Sequence, residues 1–189
     1  MKTLREQFDD DYTAVSVPTD NRRGFKIQYV YCAPWYSWGL PESELKQKKT
    51  LLTAMSVGSL LIFLLTGIQW VELNQTIVVE IAGTFALCFH VLELFSIVRF
   101  LVSKYRTDRM TYTYIDRMLK VIPLLRGVCL LAAVGTGACY MLQHPVKLYT
   151  VGVTAGYLFC AIIALYIYNE YRKIPLKTEK NDTLEKNAV

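Results

Sequence analysis

Four apolar runs, each long enough to cross a bilayer, constrain this chain more than anything else in it. They extend from Leu51 to Val71, from about Thr76 to Val98, from about Val121 to Leu142, and from Leu148 to Tyr168. Each has about twenty-one to twenty-three residues, which at about 1.5 Å of helical rise per residue matches the roughly 30 Å hydrocarbon core. The first and fourth carry no charge. A soluble fold has no use for four such helices in so short a stretch. The pattern predicts an all-α membrane protein, an antiparallel bundle of four transmembrane helices, with N- and C-termini both cytoplasmic.

The orientation follows from the basic residues. Residues 1–50 hold eight Lys and Arg, 72–75 none, 99–120 six, 143–147 one, and the segment after Tyr168 five. Cytoplasmic loops carry such an excess. The alternation places 1–45, 103–117 and 172–189 in the cytoplasm. It also accounts for the net charge of +5 without nucleic acid. Residues 1–20 contain Asp9, Asp10 and Asp11 and no apolar core of a signal peptide, so the first run reads as a retained anchor. The expected location is a bacterial plasma membrane, multi-pass.

Three segments follow from composition: a cytoplasmic arm over 1–40, a transmembrane domain over 41–171, and a polar tail over 172–189. The first 23 residues read as a loosely held tail ending in Arg22 and Arg23. Phe25, Ile27, Tyr29 and Tyr31 alternate as an extended chain does. Trp35, Tyr36 and Trp38, close before the first span, suit the headgroup level, where aromatic rings collect. Membrane anchorage is the simpler assignment for them and a docking surface the bolder one. Pro41 starts a helix well, and Glu42 and Glu44 oppose its dipole. Pro123 is expected near the start of the third helix, where a missing amide costs little.

Small residues mark helix packing. Gly152 and Gly156 lie four apart on one face, and Ala54 and Gly58 repeat the spacing more weakly. Packing within the bundle is the simpler use, dimerisation the alternative. Cys32, Cys88, Cys129, Cys139 and Cys160 form no close sequence pair, unlike the paired cysteines of four-helix thiol oxidases, and read as small apolar residues.

The chemistry-bearing candidates are His90 and Glu93 in the second run and Arg126 in the third. Ionisable groups in the membrane are costly and face the bundle interior. Gly83, Ala86, His90, Glu93 and Ile97 fall within about 80° of one another on a helix. Arg126, Leu130, Ala133, Gly137 and Tyr140 share a face of the next. Glu93 and Arg126 each lie five residues from the cytoplasmic boundary, about 7–8 Å deep, so an ion pair between them is expected. Glu80 falls on another side near the outer surface. One His and one Glu a turn apart are too few for zinc, and no metal or other cofactor is expected.

Function is less legible. No catalytic or nucleotide motif occurs. Small multidrug exporters also have four helices, but they are shorter and carry their key carboxylate in the first helix, which here has none. The leading expectation is a non-enzymatic accessory, scaffold or assembly subunit, with the lipid bilayer, another membrane protein or a cytoplasmic protein as partners. The alternative is a small proton-coupled transporter or permease using His90, Glu93 and Arg126. A weaker third reading has the middle loop and the aromatic segment form an enzyme pocket.

Overall fold

A computed structural model describes residues 4–19 and 24–179. It is mostly helical, 71%, and divides into two compact units, one of residues 1–39, 103–114 and 176–189 and one of residues 40–102 and 115–175.

The smaller unit begins with helix α1 (Leu4–Asp11), then strands β1 (Tyr12–Pro18) and β2 (Phe25–Tyr31), followed by β3 (Trp35–Trp38). β1 and β2 pair antiparallel, from Tyr12 opposite Tyr31 to Pro18 opposite Phe25. Residues 4–18 are thus structured where the sequence suggests a loose tail. The strand alternation of β2 finds its partner in Tyr12–Pro18, a segment whose Tyr, Val and Thr favour a pleated surface. Residues 1–3 and 20–23, including Arg22 and Arg23, lie outside the described residues. The Tyr31 hydroxyl donates to the Pro34 carbonyl at 2.8 Å and accepts the Arg109 amide at 3.0 Å. Burial pushes its pKa up to about 12.

The other unit is built on α2 (Glu42–Gly67), a 3-10 turn (Glu72–Gln75), α3 (Ile77–Val102), the part of α4 (Arg109–Gln143) from Ile115 onward, and α5 (Leu148–Arg172); the short strand β4 (Arg106–Thr107) and α4 as far as Tyr114 belong to the smaller unit. All four long helices are long and apolar enough to cross a membrane. Pro41 caps α2 with φ −55°, and Glu42 and Glu44 lie in its first turn. α2 stops at Gly67, short of Val71, because Asn74 folds back: its side-chain amide donates to the Thr66 and Gln69 carbonyls at 3.0 and 2.9 Å. Those carbonyls would otherwise lack a helical partner. α4 starts ahead of the apolar run, at Asp108, whose carboxylate accepts the Thr111 amide at 3.0 Å as an N-cap does. Pro123 therefore lies well inside α4 and is buried, not near the helix start, because capping moved the start upstream.

Strand β5 (Leu176–Glu179) pairs with β3, and β3 with β4, giving the order β4-β3-β5. It occupies part of the expected polar tail; residues 180–189 lie outside the described residues.

The helical core is formed by Phe63, Val79, Ala86, Leu130, Ala133, Val153, Tyr157 and Ala161. Outward faces remain apolar, with Leu65, Phe95 and Ile162 more than half exposed, as lipid-facing surfaces are. Backbones come close at two glycines. A Cβ on Gly137 of α4 would collide with the Thr154 side chain of α5, and one on Gly156 of α5 with Thr66 of α2. Gly152 and Gly58 face open space, and Ala54 is exposed.

Candidate functional site: a buried polar layer

The seven buried positions of α2 are Leu45, Lys49, Leu52, Ser56, Ser59, Phe63 and Thr66. Their spacings alternate four and three, the seam of a helix packed on its neighbours. Ser56 and Ser59 occupy its middle. On α3 the buried stripe includes Ala86, His90, Glu93 and Ile97, and on α4 Ile122, Arg126, Leu130 and Ala133. The polar members meet in one layer.

Its centre is Glu93. One carboxylate oxygen, Oε1, accepts the Ser56 hydroxyl at 2.8 Å. The other, Oε2, lies 3.3 Å from Arg126 Nε. Both side chains are fully buried. The His90 ring nitrogen Nε2 is 3.0 Å from the Ser56 carbonyl. A carbonyl can only accept, so Nε2 carries the proton. On α5, the Cys160 thiol donates to the Ser59 carbonyl at 3.5 Å. Each of the four long helices thus contributes to the layer.

The layer is only partly satisfied. The Arg126–Glu93 contact is a close charge pair without hydrogen-bond alignment. Arg126 Nε, Nη1 and Nη2, Glu93 Oε2 and the Ser59 hydroxyl have no hydrogen-bond partner among the described residues. A guanidinium offers five donors and no acceptor, so this is the most demanding side chain in the bundle. Ser56 and Ser59 were not singled out from the sequence. Their signal is the alternating spacing of α2, obscured because two of its seven positions are serines.

A second polar cluster gathers at the two short connections. Glu72 accepts from the Tyr140 hydroxyl and pairs with Lys147 at 3.2 Å. The Tyr140 hydrogen bond, with Lys147 behind it, holds the Glu72 carboxyl below the usual carboxylate range. The Tyr157 hydroxyl donates to the Asn74 side-chain oxygen at 3.0 Å. Beside this cluster is a recess of about 480 Å³ bordered by Trp70, Glu72, Lys147 and Tyr149. A groove of about 520 Å³ between α2 and α5 runs from Gln69 and Tyr149 past Gly152 to Gly156. None of the His90, Glu93 and Arg126 side chains borders either. Glu80 is exposed on α3, away from the buried stripe.

Trp35, Tyr36 and Trp38 lie in β3, where Trp38 is only 2% exposed. The Tyr36 ring stacks on Tyr112 at 5.1 Å, and Trp38 meets the same ring at 5.3 Å. Ser37 donates to Glu179 at 2.9 Å, and Arg106 pairs with Glu179 at 2.8 Å. The aromatic segment and the middle loop do gather, β3 forming the central strand between β4 and β5. By contrast Trp70 is 93% exposed. Among the described residues, no three His, Cys, Asp or Glu side chains gather within reach of one metal ion. Comparison with protein-family models, with curated proteins and with solved structures finds no match.

Proposed function

We propose that this chain is a multi-pass membrane protein acting as a non-enzymatic accessory, scaffold or assembly subunit. One observation carries the reading: His90, Glu93 and Arg126 turn inward onto neighbours within the bundle, Glu93 on Ser56 and Arg126, His90 on the Ser56 carbonyl. Groups committed in this way hold helices in register. The smaller unit supplies a contact surface, since the β1–β2 ribbon exposes Val15, Val17 and Ile27. In this reading the antiparallel bundle sits with both termini and the 103–117 segment in the cytoplasm, on the strength of the basic-residue alternation. Isolation in mild detergent from its native membrane tests it. The chain is expected to co-purify with a stoichiometric protein partner; recovery as a bare monomer under every mild condition contradicts the reading.

The transporter reading is favoured by a different observation, the unpartnered Arg126 nitrogens and Ser59 hydroxyl. A polar guest would satisfy them. It requires proton flux in reconstituted vesicles that Glu93→Gln abolishes; absence of such flux removes it.

A further inference from the structure

The groove between α2 and α5 and the recess beside Lys147 share two lining residues, Gln69 and Tyr149. They form one continuous trough with a graded chemistry. At its connection end stand the Lys147 ammonium, paired with the Glu72 carboxylate at 3.2 Å, and the Trp70 indole, which offers an N–H donor. Along α2 and α5 the walls are Ile62, Leu65, Val153 and the bare backbone of Gly152 and Gly156. The two glycines differ in use. Gly156 is a glycine because Thr66 packs against it, whereas a Cβ at Gly152 meets nothing within 4 Å. Packing within the chain gives no reason for a missing side chain at 152.

We propose that this trough is a binding site for one phospholipid, with an acyl chain along Gly152 between α2 and α5 and the headgroup phosphate at Lys147 and Trp70. Three features favour a lipid over a second protein helix. The trough changes from a polar, aromatic end, where the Lys147 ammonium sits beside the Glu72 carboxylate, to a mostly apolar groove along its length, as a phospholipid does. Its polar end is at the helix termini, where headgroups lie. Lys147 is the sole Lys or Arg of the two short connections, and it is 60% exposed despite its contact with Glu72, leaving donors for a phosphate. Trp70 and Tyr149 are the amphipathic rings expected at that level.

The test is native mass spectrometry of the full chain, purified in mild detergent and reconstituted with phosphatidylglycerol, comparing the parent with Gly152→Leu. A Cβ at Gly152 meets nothing within 4 Å, so leucine enters the trough without displacing a packed neighbour at that atom; a melting curve and circular dichroism establish that the variant folds. The parent is expected to retain one phospholipid, and retention by Gly152→Leu to fall about tenfold, the effect of losing on the order of two buried methylene contacts. Lys147→Gln should weaken retention of phosphatidylglycerol while leaving a neutral diacylglycerol unaffected. Equal retention by parent and Gly152→Leu overturns the proposal. So does a parent that runs as a dimer and becomes monomeric on the same substitution, which assigns the trough to a second copy.

Discussion

Arg126 sets the terms at the scale of single residues. It is fully buried, its carboxylate neighbour is 3.3 Å away, and its sequence position already indicated both facts. Equal distance from one membrane boundary and a shared face with small residues point to a Glu93–Arg126 contact once helices α3 and α4 are neighbours, a condition the loop lengths do not fix. What the sequence hid was Ser56, because a serine in an apolar run gives no sign of whom it faces. Removing one member of a buried ion pair leaves an uncompensated charge, which costs about 3–5 kcal/mol, whereas replacing both by apolar residues of similar volume is often neutral. Arg126→Met alone should therefore lower the melting temperature in detergent strongly, and Glu93→Met together with Arg126→Met should restore most of it. A double variant as unstable as the single one would mean that the pair contributes net stability through contacts beyond charge compensation.

Helix α4 shows what is legible and what is not for whole elements. Its apolar body is plain from hydropathy, and its true start is not, since Asp108 caps it from within a polar segment. The same limit explains the N-terminal arm. Strand β2 reveals itself by alternation, but β1 depends on a pairing with it, from Tyr12 opposite Tyr31, that residues 12–18 alone do not announce. Helix packing is similarly uneven. Four small residues stood out by spacing, and of these Gly156 meets another helix closely, while Gly137 and Gly127 approach α5 as well. Small-residue spacing shows that an approach is allowed, and the partner helix decides whether it happens. A pair of substitutions two residues apart on α4 separates the two cases. Gly137→Ile forces Thr154 aside, and such overpacking costs about 1–3 kcal/mol. Gly135→Ile enters open space and should be close to neutral in the same melting assay. Equal effects would contradict the α4–α5 contact.

For the whole molecule, composition revealed four spans and missed a folded smaller unit assembled from three separated stretches of chain. Local signals cannot report a sheet whose strands β3, β4 and β5 are so far apart in sequence. The proposed topology links the two levels. Eight, six and five basic residues flank the spans on one side, against none and one on the other. The orienting effect rests on the positive residues near the span ends, so the arrangement is specified by counts that single labels can check. The most direct measurement is side-specific thiol labelling of single cysteines in a background without native cysteine. The exposed positions Thr19, Lys104 and Lys177 are compared with the exposed Gln75 and His144 in intact cells and in inverted vesicles. The first three are expected to label only from the cytoplasmic face and the last two only from the opposite face. Labelling of Lys104 from the same side as Gln75 would overturn the proposed topology.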